Sequence, residues 1–321
     1  MMRALSLGAG LLLLAGVATP GFAGMNDDLA NCTAAKGRES ADACTRVMDS
    51  GRLPRDQFYI GYFNRGAGYR KAGDLDAALA DFNRVVSLNP EFARAFHARG
   101  LVRDEQDAPD KALEDVDRAI KISTKDWSAY YTRAAMRRAR QDYDGAMADI
   151  EKAADLEPKQ AQVRLMRALL KADKGDYDAA REEANKVIDD GNAKAAAYYV
   201  RASIAFDRHE LDDASNDVDK AIELKDTLAS AVLLKGRILE ARGDKAAAKS
   251  RYQQAMALPA SYLEGRVVQR KARDRLNGLN GMDTADATLD TKAADTKPAR
   301  NVGCKRFLPA TGVTITIDCD K

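Results

Sequence analysis

A 34-residue period runs through this chain six times in succession without an insertion or deletion. The units begin at Tyr59, Ala93, Trp127, Ala161, Ala195 and Ala229. One column of that frame reads Ala78, Ala112, Ala146, Ala180, Ala214 and Ala248, and another reads Gly66, Gly100, Ala134, Ala168, Ala202 and Gly236. Unbroken columns of the smallest side chains are what close approach of two helices demands. A period of this length marks a stack of supersecondary units, each packed on its neighbours. Composition agrees: helix-favouring Ala, Leu, Lys, Arg, Asp and Glu dominate, and Val-Ile-Thr runs are scarce until the last twenty residues. The net charge of +2 points to neither nucleic acid nor an anionic membrane surface as a partner.

Within the first unit stand Tyr62, Arg65-Gly66, Tyr69, Ala78, Phe82 and Pro90. This resembles the tetratricopeptide repeat, whose pattern is an aromatic, Leu-Gly-x-x-Tyr, Ala-x-x-x-Phe and a closing Pro. The chain departs from it where Leu is expected, with Arg65, Arg99, Arg133, Arg167, Arg201 and Lys235 in that column. The closing proline survives only as Pro90 and Pro158, with Pro259 displaced by one residue. The resemblance implies an all-α fold, a right-handed superhelix (an α-solenoid) of helix-turn-helix repeats over residues 59–260, with each first helix lining the concave face.

Residues 1–23 read as a secretory signal. Arg3 gives the positive start, Leu5 to Val17 the apolar run and Gly21-Phe22-Ala23 the small-x-small cleavage pattern. The expectation is an exported, periplasmic protein with no later span of the bilayer. Exported cysteines usually pair, and there are four here. Counting one period back from Tyr59 gives a further unit starting at Met25, within a leading segment 24–58, in which Cys32 falls in the Gly66 column and Cys44 in the Ala78 column. A Cys32–Cys44 bridge would staple that degenerate repeat, with Ser40 expected to cap its second helix.

After the sixth unit, residues 261–280 form a basic, one-sided helix suited to capping the solenoid, and 281–300 read as a flexible linker. Residues 301–321 read as a small β-hairpin: Val313 to Ile317 alternate, and a two-residue turn at Thr311-Gly312 would place Ala310 opposite Val313 and Cys304 opposite Cys319, closed by a disulfide. Leu308-Pro309-Ala310-Thr311-Gly312 resembles a sortase sorting signal, but no apolar stretch long enough for that role follows it. Asn31-Cys32-Thr33 matches a glycosylation acceptor that matters only in a eukaryotic secretory route.

No catalytic site is expected. The two histidines, His97 and His209, lie in different units, and no zinc-protease, phosphate-loop or nucleophile-elbow motif occurs. No cofactor and no metal site is expected either. Instead, the arginine column faces an acidic one, predicting Arg65–Asp81, Arg99–Asp115, Arg133–Asp149, Arg167–Glu183 and Arg201–Asp217 pairs within a unit or shared with the next.

The candidate binding groove follows from the family's geometry. Its main column is Phe63, His97, Tyr131, Leu165, Tyr199 and Leu233. One turn further lie Leu101 and Leu169, and then Arg70, Arg138 and Phe206. Helical spacing is shared by a groove and by a seam between units, so both readings stand for this column. The family's clamp for acidic C-termini is missing, since Phe63, Ala67, Ala98, Ser128 and Thr132 stand in the corresponding stretches. The expected activity is therefore that of a scaffold holding an apolar or aromatic-containing peptide or helix of another cell-envelope protein. The alternative is a spacer that presents the C-terminal hairpin as the recognition element.

Overall fold

Each repeat is built around one turn of unusual backbone. The residue that ends each first helix is left-handed in all six units: Gly73, Asp107, Gln141, Gly175, His209 and Gly243, at φ between 62° and 86°. Behind it, the next backbone N–H reaches back five residues, as Asp74 does to the Tyr69 carbonyl at 2.9 Å and Asp244 to Leu239 at 3.0 Å. This closure satisfies the last helical carbonyls and reverses the chain. The aspartate that follows then starts the second helix by accepting an N–H three residues on, as at Asp74, Asp142, Asp176 and Asp244. His209 is thereby an exposed turn residue.

A computed structural model describes residues 23–34, 36–51, 53–191, 193–258, 262–290, 304–308 and 313–317. The expected signal segment thus lies almost wholly outside the described residues. Helices α1 (Ala23–Thr33) and α2 (Arg38–Asp49) form the leading unit, followed by a short 3-10 turn at Arg55–Gln57. The six periodic units are then α3 (Phe58–Ala72) with α4 (Leu75–Leu88), α5 (Ala93–Glu105) with α6 (Pro109–Ile122), and α7 (Trp127–Ala139) with α8 (Tyr143–Leu156). They continue as α9 (Ala161–Asp173) with α10 (Tyr177–Asp189), α11 (Lys194–Asp207) with α12 (Leu211–Leu224), and α13 (Ala229–Ala241) with α14 (Lys245–Ala257). Each helix packs on the next. Successive first helices also touch, as α9 touches α11, and no comparable contact joins successive second helices among the described residues. The first helices are drawn together, so they line the inner, concave side.

The small-residue columns sit where a hairpin's two helices meet. All six alanines from Ala78 to Ala248 are fully buried. The glycine column is matched to its partner's size. A Cβ on Gly236 would lie 2.4 Å from Cε1 of Tyr252, and one on Gly66 would lie 3.0 Å from Cε1 of Phe82. A Cβ on Gly100 would lie 2.9 Å from Cγ2 of Val116. In the leading unit Cys32 and Cys44 are joined by a disulfide with their Cα atoms 4.6 Å apart.

Four expectations need correction. First, α2 begins at Arg38 behind Gly37, whose φ of 79° makes the turn, so Ser40 is not the N-cap; its Oγ accepts the Lys36 N–H at 2.7 Å. Second, the helix after the last unit, α15 (Tyr262–Asp290), runs through the first half of the expected linker. Extending an existing helix avoids the cost of nucleation, and Met282, Ala285, Ala287 and Leu289 do not oppose it. Third, α15 does not simply close the stack, as the next subsection describes. Fourth, β1 (Cys304–Leu308) and β2 (Val313–Ile317) pair antiparallel with Leu308 opposite Val313 and Cys304 opposite Ile317. The expected register would have placed Pro309, which has no N–H to give the ladder, inside the strand. Cys319 lies outside the described residues. By compactness the chain divides into Met1–Arg273 and Asp274–Lys321.

Gly236→Ala is expected to destabilise the protein despite alanine's better helix propensity, by about 1–3 kcal/mol for a forced overlap in a packed core. Thermal unfolding of the two proteins checks this, the variant melting lower.

Candidate functional site

The arginine column forms a repeated clamp. Arg65, Arg99, Arg133 and Arg201 each give a two-pronged bond through Nε and Nη2 to the carboxylate sixteen residues on, with distances of 2.6–2.9 Å. The remaining prong, Nη1, turns back to the preceding unit. Arg99 reaches Asn83 at 2.9 Å, Arg133 reaches Asp117 at 2.7 Å and Arg201 reaches Asn185 at 2.6 Å. Each guanidinium also lies over the aromatic ring three residues earlier: Tyr62, Phe96, Tyr130 and Tyr198, at 5.2–5.6 Å. Charge, planar fork and stacking face are all used, which a leucine or a lysine cannot reproduce.

Two units depart from this. In the fourth, Glu183 replaces aspartate, Arg167 binds it through Nη2 alone at 2.7 Å, and the buried Nε has no partner. In the sixth, Lys235 bonds only backward, to Ser215 at 2.9 Å and Asp219 at 2.6 Å.

The candidate groove residues all lie on first helices, but they are not equally free. Leu165 and Leu233 are only 5% and 7% exposed and belong to the packing between helices. Leu165 sinks among Ala168, Ala197 and Val200, small neighbours that leave room for it. Phe63 is half-buried edge-on to Phe92, centroids 5.2 Å apart, beneath the Arg94 guanidinium. Tyr131 packs against Trp127 and Tyr199 against two neighbouring clusters. The column is therefore largely a seam between units.

Polar partners cross that seam at a constant offset of thirty-five residues. Arg70 gives two bonds to Glu105 at 2.7 and 2.9 Å, Arg138 pairs with Asp173, and His97 Nε2 lies 2.8 Å from the Thr132 hydroxyl. Arg70 and Arg138, expected to offer charge to a ligand, are thus engaged with the next unit. Phe206 lies under the Arg237 guanidinium at 4.5 Å. Leu101 and Leu169, both half-buried, complete the apolar part of the inner face.

Charge on this face is partly desolvated. Burial first, then Glu105 and Asp107, holds the Asp104 carboxyl above the usual range, against Arg140. Burial does the same to Asp207. Burial pushes His97 below its ordinary value of 6.5, with Arg70 and Arg94 acting in the same direction and Asp126 opposing them.

The start of α15 also reaches the repeats. Gln269 Nε2 bonds the Met256 and Leu258 carbonyls at 3.2 and 2.8 Å, anchoring it at the end of α14. Arg270 Nη1 then comes within 3.5 Å of Asp107, 163 residues away in the second unit. Burial, then Arg237 and Arg138, holds the Lys271 ammonium below its usual range. Among the described residues no group of His, Cys, Asp and Glu is arranged to hold a metal, and no helix is long and apolar enough to cross a membrane.

With this geometry established, comparison with known proteins is direct. Tetratricopeptide repeat sequence models match residues 59–92 and 165–227. No curated protein matches the chain. Among solved structures, a tetratricopeptide repeat protein from Parabacteroides merdae superposes with a TM-score of 0.64 at 19% identity, over 78% of this chain and 98% of that one. Yeast Tom70 gives 0.55 at 16% identity, over 90% and 71%. PilW, a widely conserved type IV pilus biogenesis factor, gives 0.52 at 20% identity, over 66% and 98%. At these identities the likeness is one of fold. The chain is a tetratricopeptide-repeat protein, and repeats of this kind are protein-interaction scaffolds.

Because the folded protein holds His97 below 6.5 and the unfolded chain does not, protons bind more readily to the unfolded state as the pH falls. The His97 contribution is therefore complete above about pH 6.5 and is lost on acidification through the folded value. Urea midpoints measured from pH 7.5 to 5 should fall more steeply in the wild type than in His97→Gln.

Proposed function

We propose that this chain is an exported scaffold of the cell envelope that holds an apolar or aromatic-containing segment of another protein against its concave face. The observation that carries the reading is the division of labour on the first helices. Their charged groups are engaged between units, and Leu101, Leu169 and Phe206 are left as the partly exposed apolar surface between them. A rigid surface of that kind contributes affinity by apolar burial at little ordering cost. Export is supported by the apolar run and cleavage pattern of residues 1–23 and by the pairing of Cys32 with Cys44, since such bridges persist in oxidising compartments.

A second reading assigns recognition to residues 301–321. It is favoured by the antiparallel pairing of β1 with β2, which brings a short two-stranded element to the end of the chain. Cys304 and Cys319 flank it in sequence, and a bridge between them would help an element that is marginal alone.

Affinity capture from envelope extract separates the two, using residues 24–321, a Leu101→Ala/Phe206→Ala variant shown by circular dichroism to be folded, and a chain ending at residue 290. The groove reading predicts a partner lost at least tenfold by the double variant and kept by the truncated chain. The reverse pattern moves recognition to the hairpin.

A further inference from the structure

The helix after the last unit turns back toward the repeats. The first half of α15 leaves α14 through the two carbonyl bonds of Gln269 and brings Arg270 to Asp107, at the turn between α5 and α6. Its Lys271 stands in the field of Arg138 on α7 and Arg237 on α13. Through Arg270 this helix reaches the second repeat as well as the end of α14, so it does more than cover the last unit. On its inward side, Val268 is 6% exposed and Ala272 fully buried, one helical turn apart, while the neighbouring Val267 and Arg270 face out. The sequence of this helix is basic, with Arg266, Arg270, Lys271, Arg273 and Arg275 within one ten-residue stretch. The carboxyl it approaches is that of Asp107. A narrow apolar face of small side chains, Val268 and Ala272, is thus buried, while Arg270 beside it pairs with Asp107.

We propose that the first half of α15 is an intramolecular ligand of the concave face, and that the partner this face takes is a basic amphipathic helix that replaces it. The inference rests on the groove reading above and specifies its ligand: small or aliphatic residues four apart, followed by Arg or Lys. It also sets a rule for entry. A partner must compete with a tethered helix, whose effective concentration is on the order of millimolar for a short connection, so the resting protein is closed to weak ligands.

The test uses the full mature chain and a fluorescent peptide of residues 262–280 added in trans. In the wild type the site is filled, and the peptide binds weakly. Ala272→Glu places a carboxylate where no exposed surface exists, releases α15, and should raise peptide affinity at least tenfold while circular dichroism shows the repeats still folded. Hydrogen exchange on the unmodified protein provides the second reading: amides of 267–273 should be protected relative to the same segment as a free peptide, and addition of excess peptide should erase that protection. Equal peptide affinity for both chains, or free-peptide exchange rates at 267–273, overturns the proposal. Neither result bears on whether Leu101 and Phe206 are needed for envelope capture, so failure here is distinguishable from failure of the groove itself.

Discussion

The structure depends on a guanidinium that belongs to two repeats at once. Arg133 illustrates it: two nitrogens on Asp149 of its own hairpin, the third on Asp117 of the hairpin before, and a tyrosine ring against its face. The site is mostly shielded, with the Asp149 side chain 4% exposed. Losing the arginine would leave the buried Asp149 carboxylate with Arg137 alone, which bonds it at 2.8 Å. The bond pattern also sets geometry, because a planar fork accepts a carboxylate in only one orientation. In four of the six periodic units the hairpin is oriented on its predecessor by this same device, at Arg65, Arg99, Arg133 and Arg201.

Two further ladders run parallel to the clamp. On the turn edge, the residue after each first helix reaches an aspartate thirty positions back: Arg140 to Asp110, Lys174 to Asp144, Arg208 to Asp178 and Arg242 to Asp212. These aspartates stand in the first turns of second helices and are largely exposed, so each pair adds little alone. On the inner side, the thirty-five-residue ladder ties first helix to first helix. Polar chemistry thus joins units on several sides, and what remains for other work is the partly exposed apolar surface of Leu101, Leu169 and Phe206.

Much of this is legible in the sequence, for a physical reason. Contacts within a hairpin and between adjacent hairpins recur at one spacing, so the Arg65–Asp81 class of pairs can be read from two columns of letters. The same logic puts Cys32 and Cys44 in facing columns. What could not be read falls into three kinds. The left-handed turn column is a demand on backbone, and a sequence that meets it with Gly, Asp, Gln and His hides it, although the period was there to be followed. The engagement of Arg70 and Arg138 depends on the lateral offset between successive first helices, a property of the stack that no single unit contains. The path of α15 has no period at all, and its contact with Asp107 spans 163 residues. The strand register, with Leu308 rather than Ala310 opposite Val313, also differs from the one read in the sequence.

The most direct test of the clamp is a pair of double-mutant cycles on one arginine, Arg133→Met with Asp149→Asn and Arg133→Met with Asp117→Asn, read by urea denaturation. A guanidinium shared between units should show coupling with both carboxylates, within the range of about 0.5–3 kcal/mol found for residues in direct contact, and the larger value with Asp149. Coupling to Asp149 alone would make the arginine a device internal to each hairpin, and the account of how the repeats are held in register would be wrong.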